Sequence, residues 1–150
     1  MAVQLVRSFT QDTNVPIIVH LPVQASTTIQ KDTLVQIDAT SRKLEPATEA
    51  SQTIVGIAMQ DYTTGAQVTD ADSIPVALVR GWVIRIPFIT SGTKKDFSDT
   101  DRYLTAFDLE DEGSIDPDDT TGGMCYVQAY DNNAKTVDVI IGAANLANVG

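Results

Sequence analysis

Cysteine occurs once in these 150 residues, at Cys125, and histidine once, at His20. An intrachain disulfide is therefore excluded, which fits a chain made and used in a reducing cell. One Cys and one His cannot close a zinc site within a single chain. Ser-His-Asp or Cys-His machinery would have to use His20, which lies in the apolar stretch VPIIVHLPV, and no G-x-S-x-G elbow accompanies it. Cys125, in GGMCYVQ, alternates as a strand residue does, so burial is expected rather than nucleophilic chemistry. The phosphate-cradling patterns G-x-G-x-x-G and G-x-x-x-x-G-K-[ST] are missing too. No catalytic residue is assigned, and the chain is expected not to be an enzyme.

Long apolar runs are also missing. No segment approaches the ~20 residues of a membrane helix, and MAVQLVRSFTQD carries no apolar run behind a basic start, so no signal peptide is expected. Basic residues are few, ten against twenty acidic ones, for a net charge of -10. The acidity is local. Residues 96–119 hold ten of the acidic residues and one basic residue, Arg102, while the rest of the chain holds ten acidic and nine basic. Such a segment argues against nucleic acid and against anionic membranes as direct partners, because both attract Lys and Arg.

What the chain does have is a 43% hydrophobic content, enough for a core, with Val, Ile and Thr broken by Gly, Pro, Asp and Asn about every ten residues. That punctuation predicts an all-β domain, a small β-barrel or β-sandwich-like fold. Strands are expected at 3–9, 15–23, 33–38, 53–60, within 74–89, at 102–105, 124–130 and 136–141. Pro16 and Pro22 suit the second of these to an edge or an arm. Gly56 marks a bulge or a close backbone approach, Gly81 a bend, and Asp131-Asn132-Asn133 a hairpin turn. A helix is an option only at 101–107 or in the tail. The division expected is an N-terminal arm, 1–23, and one β domain, 24–150, with an acidic loop insertion at 96–119.

Two constellations carry functional candidates. Asp108, Glu110, Glu112, Asp116 and Asp119 stand at positions 1, 3, 5, 9 and 12 of a stretch with Gly113 at 6, the spacing of a calcium loop. Pro117 and the absence of helical flanks disturb the match, and a solvated acidic loop is the competing expectation. In VRGWVIRIPF, Trp82 with Arg80 and Arg85 forms a candidate subunit or partner interface, since Trp and Arg are enriched at hot spots. Alternation places Trp82, Ile84 and Ile86 on one face and Val83 and Arg85 on the other, so a core tryptophan is the alternative.

The order of segments adds a resemblance. The chain runs KDTLVQIDATSRKLEPA, TIVGIAMQDYTTG, SIPVALVRGWVIRIPF, RYLTAFD and TTGGMCYVQAYDNNAKTVDVII. Over about 30–141 this resembles the small capsid decoration, or cement, proteins of tailed bacteriophages. The arm and the acidic insertion depart from the short members of that family. The resemblance implies a homotrimer on the outer surface of the virion head, made in the host cytoplasm. It would bind the major capsid protein at threefold and quasi-threefold positions of the expanded shell and hold it against DNA pressure. It further implies that the arm reaches the capsid through Val3, Leu5, Val6 and Phe9. Two alternatives stand beside it. One is another phage structural part, a head fibre base or tail protein. The other is a calcium-dependent carbohydrate-binding module with Tyr62, Trp82 or Tyr103 as platform.

Overall fold

A computed structural model describes residues 2–10 and 14–150, and over them the chain is all-β. Thirteen strands follow in order: β1 Gln4–Ser8, β2 Ile18–Pro22, β3 Thr28–Ile29, β4 Leu34–Ile37, β5 Leu44–Pro46, β6 Ile54–Ala58, β7 Tyr62–Thr63, β8 Ser73–Leu78, β9 Trp82–Pro87, β10 Ala106–Asp111, β11 Ser114–Asp116, β12 Cys125–Asp131 and β13 Thr136–Ile141. Of the two helix options, 101–107 is loop running into β10, entered from a short 3-10 turn at Asp99–Asp101, and the tail holds a 3-10 turn at Ala143–Asn145.

The strands form a six-stranded sheet, β1-β9-β13-β12-β10-β11, a five-stranded sheet, β2-β8-β6-β4-β5, and a β3-β7 ribbon, all antiparallel. The architecture is sandwich-like. Both sheets curl until single bridges tie distant strands, Val23 to Leu44 and Phe88 to Ile115. A first core lies against the six-stranded sheet and takes Leu34, Ile54 and Ile57 from the other. A second core, with Val23, Leu44, Val55, Ile74 and Val76, fills the other face of the five-stranded sheet. The tail packs on both, Leu146 on the first and Ala147 and Val149 on the second.

The long run 74–89 is two strands. Gly81, at φ +79°, lets the chain reverse, and the Trp82 amide donates to the Val79 carbonyl at 3.0 Å. At the β12–β13 turn, the Asp131 carboxylate accepts the amides of Asn133 and Ala134, each at 3.0 Å. The strand expected at 102–105 begins later, at Ala106, and β7 forms at Tyr62–Thr63, where no strand was expected.

Two expectations about segments change. The 1–23 segment is not a free arm over its described residues. Its β1 pairs with β9 at one edge of the six-stranded sheet, and its β2 pairs with β8 at one edge of the five-stranded sheet. The reason is burial: Val3 and Val23 are sealed in the two cores. The acidic segment is not an inserted solvated loop either. Within residues 96–119, β10 and β11 form a hairpin, and Phe97, Phe107, Leu109 and Ile115 enter the first core. Phe97 stands edge-on between Phe88 and Phe107, at centroid distances of 4.9 and 5.1 Å.

Candidate interaction surface

The expected site residues are scattered by the fold, and most of them are structural. Val3 is buried and Leu5 packs on the first core, so neither is free to reach a partner; Val6 is half-buried, and Phe9 alone of the four is exposed. Trp82 is buried in the first core, which removes it as an interface anchor. Arg85 lies outward and grips Asp138 through Nε at 2.8 Å and an Nη at 3.1 Å, a cross-strand pair between β9 and β13. Arg80 is exposed and donates to the Ala147 carbonyl at 2.9 Å, clamping the tail.

The calcium spacing does not survive folding. A helix-flanked loop wraps its ligands around one point, whereas here β10 and β11 pair with Asp108 opposite Asp116. Glu110 is exposed, and Asp108 is buried. Among the described residues no group of three or more His, Cys, Asp or Glu is placed to hold a metal ion. The three glycan-platform candidates lie in different surroundings. Trp82 belongs to the first core, Tyr62 packs on the second and donates to Asp72 at 3.0 Å, and Tyr103 stands on an exposed loop. His20 lies exposed on β2, while Cys125 is buried in the other sheet, where burial pushes its thiol pKa up.

Asp108 has a measurable consequence. It lines a cleft of about 390 Å³ with Glu49 and Asp119. Burial raises its pKa from 3.8 to about 6; the Leu109 amide, at 2.9 Å, opposes this, and the charges of Asp119, Glu49 and Asp116 add to it. The folded state therefore holds a proton that the unfolded chain releases between about pH 4 and 6. Stability falls as pH rises through that window, and the ionised group opposes folding above it. Asp38 and Asp72 are shifted the other way, by the amides of Ser41 and Thr69 first, so their contributions are lost at lower pH. Because the cleft is open to water, the rise at Asp108 corresponds to about 1–2 kcal/mol. Asp108→Asn is expected to raise the melting temperature at pH 7.5 by about 2–6 °C and to flatten its slope between pH 4 and 6, as read by calorimetry across pH.

What remains exposed is an apolar margin of which the sequence candidates included only Phe9. Phe9, Val15, Ile17 and Ile18 are each between 45 and 64% exposed. The fold brings them together: the Phe9 amide donates to the Gly81 carbonyl and the Leu78 amide to that of Ile17, both at 2.9 Å, so both segments converge on the β8–β9 turn. Beside them, Thr10, Ile17, Leu78, Trp82 and Val149 line a mostly apolar cleft of about 400 Å³, with Arg80 at it. The signal was present in the sequence. From 14 to 30 there is no Asp, Glu, Lys or Arg, although the chain as a whole is acidic.

The open edge of β2 is guarded. Ile17 and Val23 bond toward β8 and its lead-in, to Leu78 and Asp72. Alternation then gives the odd positions the ladder and turns the backbone of 16, 18, 20 and 22 outward. Two of those four are Pro16 and Pro22, which have no N–H to lose or to offer. The prolines cost the sheet nothing and leave an added strand little to pair with. Recognition here rests on side chains, not on strand addition. No protein-family model matches the chain, and no curated protein matches it.

Proposed function

We propose that the chain is a structural binding module that cements a protein shell from outside, as the resemblance to phage decoration proteins implies. The observation that carries this reading is the apolar margin of Phe9, Val15, Ile17 and Ile18 on an acidic protein, placed where β1 ends and β2 begins, both paired edge strands. An apolar patch on a soluble domain marks an interaction site. The partner is the major capsid protein, and the state bound is the expanded shell, with copies arranged as a trimer at threefold and quasi-threefold positions of the outer surface.

The energetics fit such a role. Each occupied site stabilises the bound lattice by about 2.7 kcal/mol when free protein is at 100 times its dissociation constant, and linked copies bind more tightly than single ones. The acidic hairpin keeps crowded copies soluble.

Purified protein is expected to bind expanded shells and raise their melting temperature, and to ignore unexpanded ones. Phe9→Asp and Ile18→Asp are each expected to weaken binding about tenfold or more, since each forfeits about 1.5 kcal/mol of apolar burial, with the free protein's melting temperature unchanged. Sedimentation of shells with labelled protein measures both. Equal binding to the two shell states, or full binding by both variants, would sink the proposal.

A further inference from the structure

Three carboxylates line the cleft at Asp108, and among the described residues none of them has a cation. Asp108 is only 4% exposed. Its Oδ1 accepts the Leu109 amide at 2.9 Å, while Oδ2 has no hydrogen-bond partner among the described residues and is not sealed from the cleft. Asp119 engages Oδ1 with the Thr121 amide at 2.9 Å, and Glu49 stands exposed on the facing loop. Arg85, Lys94, Arg102 and Lys135 all pair with other carboxylates. A buried carboxylate is ordinarily paired or fully hydrogen-bonded, and this one is neither. The three are not placed to share a metal ion. The walls are fixed in advance. The Thr48 amide donates to Ser51 Oγ at 2.7 Å, Asn145 Nδ2 to the Ser51 carbonyl at 3.0 Å, and the Asp108 amide to the Asp119 carbonyl at 2.9 Å.

Acceptors spread over separate walls suit a flat cation with several donors better than a point charge. A guanidinium carries five N–H donors in one plane, is always charged, and is weakly hydrated, so it enters a cleft at lower cost than an ammonium. We propose that the Glu49–Asp108–Asp119 cleft receives a guanidinium, the side chain of an arginine on a partner protein. The cleft, about 390 Å³ and open to water, admits one side chain while the backbone that carries it stays outside. The groups facing Asp108 are Glu49, Asp116 on β11, Asp119 beyond it, and the Cys125 thiol on β12, with no base among them. Free Asp108 therefore holds its proton up to about pH 6. A bound guanidinium favours the charged form, so binding releases a proton near pH 6 and none at pH 8. The cleft shares no residue with the apolar margin, and the assignment stands without the shell-binding proposal.

The test uses the free full-length protein, with N-acetylarginine amide as the probe and backbone amide NMR shifts as the readout. At pH 7.5, saturable shifts are expected at 49–52, 108–109, 119–122 and 145, with a dissociation constant of about 1 mM, the weak range of a single side chain. Affinity is expected to fall about tenfold at pH 5, where Asp108 is protonated. Asp108→Asn is expected to weaken binding at pH 7.5 about tenfold and to remove that pH dependence. Glu49→Gln, at an exposed position, is expected to weaken it about threefold. Glu110→Gln removes the same charge from β10 outside the cleft and is expected to bind like the wild type. Agmatine carries the same group on a small free cation. Agmatine binding no more than about tenfold tighter than the capped arginine supports a protein side chain, and tighter binding overturns that source. Absence of saturable shifts up to about 10 mM probe overturns the proposal. So does unchanged binding by Asp108→Asn, or an equal loss in Glu110→Gln.

Discussion

Replacing 96–119 with a Gly/Ser linker of equal length is expected to abolish cooperative folding. The segment holds half of the acidic residues, yet its weight lies in four side chains, Phe97, Phe107, Leu109 and Ile115, all buried in the first core. Removing a buried Leu, Ile or Phe costs about 2–5 kcal/mol. Four such losses, about 8–20 kcal/mol together, match or exceed the ~5–15 kcal/mol that holds a whole domain together. Loss of the far-ultraviolet strand signal and of any melting transition would be the readout. The contrasting variant keeps those four residues and neutralises exposed Glu110, Asp111 and Asp118 to their amides. Its melting temperature is expected to change little, since all three residues are exposed and each side-chain amide keeps an oxygen for the Gly113 and Lys94 amides that Asp111 and Asp118 accept. A linker variant that melts like the wild type would show that the segment is a detachable insertion after all.

The second large effect is expected at a single methyl group. A Cβ placed on Gly56 meets the Ala77 carbonyl oxygen at 2.0 Å and the Val76 side chain at 2.9 Å. The first of these is backbone of the neighbouring strand β8, which cannot swing aside as a surface side chain can. Gly56→Ala must therefore push β6 and β8 apart at the centre of the five-stranded sheet, where every residue of β6 is buried. The expected loss is about 3 kcal/mol, at the upper end of the usual overpacking cost. Denaturant titration would read it as a lower midpoint at an unchanged slope. Gly65→Ala, with nothing within 4 Å of the added carbon, is the control and is expected to be neutral or nearly so. Equal midpoints for the two variants would remove the close approach as the reason for the glycine.

Taken by itself, the sequence determined what depends on neighbours along the chain. Alternating β-branched residues between turn formers made the all-β class legible, and so were β4, β6, β12 and β13, each within a few residues of its expected place. Gly81 was readable as a bend and Asp131-Asn132-Asn133 as a turn, because φ freedom and Asx hydrogen bonds are local properties; a glycine inside a strand marked Gly56 as a bulge or close approach, but only the fold shows that β8 is what approaches. Even the hairpin in the acidic segment left a period-2 trace, with Phe107, Leu109 and Ile115 alternating against Asp108, Glu110 and Asp116, but net charge hid it.

The tertiary structure alone decided which of these strands have neighbours on both sides. Whether 1–23 hangs free or closes two sheet edges depends on β9 and β8, some fifty to eighty residues away. Whether Trp82 anchors a partner or the core depends on which face of β9 the rest of the chain covers. The five calcium-spaced carboxylates were in order along the chain, but a strand pair lays them out along a ladder instead of around a point. The apolar residues near Phe9 and Ile18 are among those that remain exposed once every long-range pairing is made. Burial is a property of the assembled pairs, so it could not be read from spacing.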